Sequence, residues 1–141
     1  MKKSILIISA LASFNCNNRT TANCINGTWK MVYAEIVEND TTKIKDLRNV
    51  EFIKIINDSH FAFFNQSINN DAHYYSGAGT YTKEGETYEE VLSYTSAKAI
   101  KNHKFSFQIK LKGDTLIQTG QELIKEAGIS RIITEKYIKM K

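Results

Sequence analysis

Residues 104–120 read KFSFQIKLK-GD-TLIQTG, and this stretch decides the fold. Phe105, Phe107, Ile109 and Leu111 alternate with Lys104, Ser106, Gln108 and Lys110. A period of two puts one set on each face of a β-strand. Gly113-Asp114 is a two-residue turn with glycine where a type II′ hairpin wants it. The turn sets the register, so Leu111 opposes Leu116, Ile109 opposes Gln118 and Phe107 opposes Gly120. Gln118 is therefore a polar group on an otherwise apolar face.

The preceding segments, Tyr74–Thr82 and Glu86–Thr95, form a second hairpin around Glu84-Gly85. With these two as the turn, Tyr81 opposes Tyr88, Gly79 opposes Glu90, Gly77 opposes Leu92 and Tyr75 opposes Tyr94. All eight share one face. The other face carries Ser76, Ala78, Thr80 and Thr82 against Thr87, Glu89, Val91 and Ser93, which suits water. The aromatic face is expected to point inward, with open space over the two glycines and the Glu90 carboxylate looking into it.

Working outward, Ser96–Asn102 is a short link between the hairpins. Glu122–Gly128 reads as a helical turn ended by Gly128, and Ile129–Ile138 as the last strand. Toward the N-terminus, Thr28–Val37 is a strand with Trp29, Met31, Tyr33 and Glu35 on one face. Glu38–Leu47 is polar and is expected to be a loop. Asn49–Ile56 and His60–Asn65 are strands about the turn Asn57-Asp58-Ser59, and Gln66–His73 is a second loop. Both faces of this pair are apolar. The set Val50, Phe52, Lys54, Ile56, Phe61 and Phe63 gathers the aromatic rings and is taken as interior. The sum is an all-β chain, expected to close as an eight-stranded antiparallel up-and-down barrel, which leaves no exposed edge. Closure brings the first and last strands together and places Trp29 near Tyr137–Lys139.

The 141 residues favour one domain, and a hydrophobic fraction of 42% supplies a core. The chain has no proline, so nothing interrupts the ladders. Of the formal net charge of +4, two charges are Lys2 and Lys3. The remaining lysines are spread singly rather than in a stripe, which argues against a nucleic-acid groove. Met1-Lys2-Lys3 and the apolar run Ser4–Ala12 have the form of a signal peptide, too short to span a bilayer. Two processing routes are open. Ala10-Leu11-Ala12 fits a signal-peptidase site, and Cys16 stands where a lipoprotein is lipidated, although Asn15 replaces the usual small residue before it. Lipidation at Cys16 is preferred; a Cys16–Cys24 disulfide is the alternative use of that thiol. Residues 1–25 are thus expected to be signal peptide and polar tether, and 26–141 the barrel domain. The protein is expected to be exported, to the periplasm or outer membrane as a lipoprotein or otherwise secreted. Any membrane contact is expected only through that anchor.

The chain resembles the lipocalin-like (calycin) small exported proteins of bacteria. The resemblance runs from Gly27 to the C-terminus. It rests on Gly27-Thr28-Trp29 opening the first strand, Asp58–Phe63, Gly77–Thr82 followed by Tyr88-Glu89-Glu90, and Lys112–Leu116. Lipocalins usually pack an arginine from the last strand over that tryptophan; here Glu135–Lys139 offers only lysine. The resemblance implies a barrel that binds small, mostly apolar molecules, and it does not specify which.

The expected function is non-catalytic binding of a small, largely apolar ligand in the barrel, without a cofactor. The candidate ligand-binding residues are Tyr33, Lys54, Phe61, Phe63, Tyr75, Tyr81, Tyr88, Glu90, Tyr94, Phe107 and Gln118. Glu90 is the expected polar anchor with Lys54 as partner; alternatively it bonds Tyr81 or Tyr88 and fills the core. His60, His73 and His103 show no metal-ligand spacing, so no metal is expected. No nucleophile motif or phosphate loop is present. Two other functions compete: a ligand-free barrel acting as an interaction module through its two long loops, and an isomerase- or hydrolase-type enzyme with Glu90 as base.

Overall fold

The computed structural model describes residues 24–69 and 74–141. The expected signal peptide, most of the tether, and Cys16 lie outside the described residues. The elements are β1 (Gly27–Glu38), β2 (Thr41–Ile44), β3 (Val50–Ile56), β4 (His60–Ser67), β5 (Tyr74–Glu84), β6 (Thr87–Thr95), β7 (Lys104–Lys112), β8 (Thr115–Ile124) and β9 (Ile129–Lys139). Short 3₁₀ turns occupy Lys98–Ile100 and Lys125–Ala127. All pairings are antiparallel, in the order β1-β3-β4-β5-β6-β7-β8-β9, and β9 returns to β1. This is the expected closed eight-stranded up-and-down barrel, with β2 added as a short flap beside the far half of β1.

Three expectations of register are corrected. The segment Glu38–Leu47 is not all loop. Asn39 and Asp40 take φ of 48° and 58°, and Glu38 pairs with Thr41 across them. Two consecutive positive-φ residues make a type I′ hairpin turn, which asparagine and aspartate tolerate. In the β5–β6 hairpin the turn residues are Gly85-Glu86 rather than Glu84-Gly85, so Glu84 pairs with Thr87 and Tyr81 with Glu90. Gly85 takes φ +59° at the first turn position, as Gly113 does with φ +58° in the next hairpin. Last, Glu122 and its neighbours continue β8 as strand, and only Lys125–Ala127 turns before the left-handed Gly128.

Two β-bulges change which side chains face inward. In β1, Met31 pairs with Tyr137 but Tyr33 with Lys136, so Val32 is the extra residue. Past it the alternation reverses: Ala34 is buried, while Tyr33 and Glu35 turn outward and Tyr33 donates to Glu35 Oε2 at 2.7 Å. In β6, Leu92 pairs with Gly79 but Tyr94 with Ala78, leaving Ser93 extra. Tyr94 is thereby outside, 71% exposed. Gly79 makes this bulge possible, because a Cβ there would lie 1.8 Å from the Val91 carbonyl oxygen. The space over the glycines is accordingly not open: Val91 fills it at Gly79, and Phe63 and Leu92 fill it at Gly77.

The tight turns at 57–59, 85–86 and 113–114 close one end of the barrel; the longer connections gather at the other. The closed end holds the core of Trp29, Phe61, Tyr88, Ile109, Leu116 and Tyr137. Trp29 is fully buried, donates Nε1–H to the Ile25 carbonyl at 2.8 Å, and pairs in register with Lys139. Lys139 Nζ sits 5.4 Å above its ring, so a lysine takes the covering position. The lysine stem crosses Gly27, where a Cβ would meet Lys139 Cε at 2.7 Å and φ is +146°. That close approach explains why glycine opens the strand.

Candidate functional site

The interior faces of β3 and β4 are those that gather the aromatic rings: Lys54, Ile56 and Phe61 are buried, whereas Ile55 and Phe64 are exposed. Above the closed core the barrel does not fill. A cavity of about 250 Å³ runs from a floor at Lys54 and Glu90 to a mouth at Lys45, Ile100, Glu122 and Arg131. One wall is aromatic: Phe52 stacks on Phe63 at 5.4 Å, and Phe63 meets Tyr75 at 5.4 Å. Across from it lie Phe105 and Phe107, stacked at 6.3 Å, with Leu92 and Ile133 completing the apolar lining.

The floor is charged. Lys54 Nζ forms an ion pair with Glu90 and donates to Gln118 Oε1 at 2.9 Å. Its ammonium also lies 5.5, 5.3 and 5.8 Å from the Phe61, Tyr88 and Tyr137 ring centres. Three aromatic faces and a carboxylate thus replace the water that a lysine only 3% exposed has lost. Tyr88 lies against Glu90 without a well-aligned hydrogen bond for its hydroxyl. Burial, followed by the Glu90 charge, pushes its ionisation far above the usual phenol range.

Glu135, one strand over, is the group that composition concealed. It pairs in register with Gln118 and faces the cavity. Tyr137 donates its hydroxyl to Glu135 Oε2 at 2.7 Å, and among the described residues no lysine or arginine forms an ion pair with it. Burial raises the Glu135 pKa; the Lys54 charge and the Tyr137 hydrogen bond oppose that rise, and the Glu90 and Glu122 charges add to it. Tyr137 is pushed well above the phenol range, first by burial and then by Glu135, so it stays a neutral donor. At the mouth Arg131 pairs with Glu122. Lys45, which follows β2, lies 5.5 Å above the Phe52 ring, and burial lowers its pKa against the opposing pull of Glu135. Asn65, on the inward face between Phe52 and Tyr75, is 7% exposed, and its Oδ1 has no hydrogen-bond partner among the described residues.

Of the expected site residues, Lys54, Phe63, Tyr75, Glu90, Phe107 and Gln118 line this one cavity. Phe61, Tyr81 and Tyr88 lie below its floor; the Tyr81 ring is tilted against Tyr88 at 5.0 Å, and Tyr81 donates to the Asn57 carbonyl at 2.6 Å. Tyr33 and Tyr94 are on the outer surface because of the two bulges, and so is Glu35. The polar and aromatic lining residues missed from sequence are Lys45, Phe52, Asn65, Phe105, Glu122, Arg131, Glu135 and Tyr137. The alternation of β9 holds a signal for the last three: once Trp29 faces inward beside Lys139, Tyr137, Glu135 and Arg131 must share the inward face. Among the described residues, no three histidine, cysteine, aspartate or glutamate side chains gather as a metal cluster. Glu90 is tied to Lys54 rather than poised as a free base.

The chain is an eight-stranded antiparallel barrel with one end sealed and a partly charged cavity at the other. The chain belongs to the family described as a domain of unknown function, DUF4488, which it matches over residues 24–141. A search of the curated proteins finds no match.

Proposed function

We propose that the protein is an exported, lipocalin-like binding protein of the calycin type and of bacterial kind. It holds one small molecule in the barrel without covalent chemistry. One observation carries the reading: the cavity of about 250 Å³ is open at the loop end and lined by a buried Asn65 Oδ1 that has no partner among the described residues. A buried polar atom without a partner is rare in a finished core, and a ligand is the simplest partner. The volume falls just under the ~300 Å³ of ordinary drug-sized sites, so the ligand is small. Its body is apolar, to match the phenylalanine walls, and it carries a polar group for the floor. Export and a lipid on Cys16 belong to the same proposal, resting on the N-terminal sequence alone.

Native mass spectrometry on protein purified from its own cells tests this. A stoichiometric small-molecule adduct is expected, lost in Ile100→Trp, which fills the mouth. An adduct-free mass, or an adduct retained by Ile100→Trp, refutes the reading. The same spectrum reads the N-terminus: a mature chain starting at Ser13 removes the lipid anchor. One observation favours the interaction-module reading instead. Phe64, Tyr74 and Tyr94 are 41%, 59% and 71% exposed and flank a shallow outer groove over Ala62 and Ala78. An adduct-free barrel that co-purifies with a protein partner would shift the assignment to that surface.

A further inference from the structure

We infer that the ligand is a small organic amine, its ammonium set against Glu135 and its apolar body between the Phe52–Phe63 and Phe105–Phe107 walls. The inference rests on the cavity-binding reading and gives it a chemical class.

The first argument is a donor–acceptor count. Three inward donors are already committed: Lys54 to Glu90 and Gln118, Arg131 to Glu122, and the Tyr137 hydroxyl to Glu135. Donors remain in the amides of Asn65 and Gln118 and in Lys45, so the cavity offers groups of both kinds. Tyr137 reaches only Oε2 of Glu135, and among the described residues Asn65 Oδ1 receives nothing. The Glu135 oxygen that Tyr137 does not reach is open to an N–H donor of a ligand, which would be the charge-assisted kind of hydrogen bond.

The second argument is charge. On the floor one ammonium, Lys54, faces two carboxylates, Glu90 and Glu135, and only Glu90 is paired with it. A buried carboxylate without a counter-charge takes up a proton or a cation. Burial raises the Glu135 pKa and the Lys54 charge opposes that rise; a second cation placed beside the carboxylate would oppose it further. Glu135 is also reachable: it is only partly buried by surface area yet lies deep among protein atoms, so its accessible surface is cavity surface.

The third argument is the wall. Aromatic faces attract cations, and more strongly away from water. The protein already uses this chemistry one layer down, where three rings surround the Lys54 ammonium. Lys45 is the opposing feature. It is the one cation of the lining without an ion-pair partner among the described residues, and an anionic ligand would be held there, at the mouth.

NMR titration of the mature protein with three probes of one shape separates these cases: 2-phenylethylamine, 2-phenylethanol and 3-phenylpropionate. The readout is the amide shifts of the cavity-lining residues. The amine is expected to bind at least about tenfold more tightly than the alcohol, from one charge-assisted hydrogen bond of ~1.5–3 kcal/mol, and the acid not to bind. Glu135→Gln, which keeps the side-chain shape, is expected to remove the amine's advantage and leave the alcohol's affinity unchanged. Lys45→Met is expected to leave amine binding intact or stronger. The inference fails, with the cavity reading still standing, if the acid or the alcohol binds as tightly as the amine. It fails in the same way if the amine's advantage survives in folded Glu135→Gln. If no probe moves a lining residue at millimolar concentration, the cavity reading falls and takes the amine with it.

Discussion

Lys54→Met is the substitution that most directly probes how the floor is held. Lys54 and Glu90 are 3% and 6% exposed. Removing one member of a buried ion pair leaves the other charge uncompensated and typically costs ~3–5 kcal/mol. Gln118 Oε1 also loses its donor at 2.9 Å, which adds about 1 kcal/mol, and Glu135 loses the positive charge that opposes its raised pKa. Against a domain stability of ~5–15 kcal/mol, a loss of about 4–6 kcal/mol is large and corresponds to a melting temperature lower by roughly 15 °C. Glu90→Gln is expected to be much milder, about 1–2 kcal/mol. The reason is in the geometry: Lys54 would keep Gln118 as an acceptor, keep three aromatic rings, and still face Glu135. The double variant removes both charges and is expected to recover part of the Lys54→Met loss, giving a coupling energy of ~2–3 kcal/mol. Urea unfolding at pH 7 measures all four corners, and an unchanged m-value shows that the denatured state is the same in each. The reasoning is wrong if Glu90→Gln costs as much as Lys54→Met, or if the two losses add.

Gly79→Ala is expected to destabilise by more than the ~1–3 kcal/mol of ordinary overpacking, because its Cβ would meet the Val91 carbonyl oxygen at 1.8 Å. Gly77→Ala meets only the ends of Phe63 and Leu92, at 2.7 Å, and is expected to cost ~1 kcal/mol; equal losses in urea unfolding would contradict the bulge. Glu135→Gln is expected to alter the pH dependence of stability. Burial raises the native pKa of Glu135, so between its unfolded value of ~4.3 and that raised value the native state binds more protons. Wild-type stability therefore falls as pH rises through this window, and the variant, lacking the group, gains on wild type over the same range. Parallel stability curves from pH 4 to pH 8 would show that Glu135 is not buried as described.

What the sequence made legible was the regular part of the ladder. The pairings Leu111–Leu116, Ile109–Gln118 and Phe107–Gly120 follow from the Gly113 turn, and the structure has all three. The β5–β6 hairpin moved by one turn residue because Gly85 takes the first position. Face assignments survived the move, since a two-residue slip preserves parity. The bulges were not legible. Trp29, Met31 and Tyr33 alternate without a flaw, and the reversal at Val32 leaves no compositional trace, because the outward Tyr33 ring is covered by Lys136 at 4.5 Å. The type I′ turn at Asn39-Asp40 did carry a signal, two residues tolerant of positive φ, but it was hidden inside a polar stretch. Five of the nineteen lining residues lie on β9, where isoleucines and charged or polar groups occur on both faces. Alternation there is too weak to orient the strand without Trp29 and Lys139 as a reference.

The interior divides by chemistry as well as by height. Below Lys54 the barrel packs Trp29, Phe61, Tyr88, Ile109 and Leu116, which is sufficient to seal it. Above Lys54 the same inward positions carry Glu90, Glu122, Glu135, Lys45 and Arg131 around unfilled space. Aliphatic side chains of similar volume would make that half at least as stable, since buried ion pairs rarely repay their desolvation. The sheet does not lack apolar residues to place there: Val32 and Ile132 are each 51% exposed on the outside. Stability therefore does not account for the charged half; the binding proposed above would. Lys54 belongs to both halves, with its ammonium over the Phe61 and Tyr88 rings of the closed core and its charge shared between Glu90 and Glu135 on the cavity floor. A ligand that supplies Glu135 with its own positive charge would relieve Lys54 of one of its two carboxylates. Occupancy of the cavity and integrity of the floor are in this way linked through a single side chain.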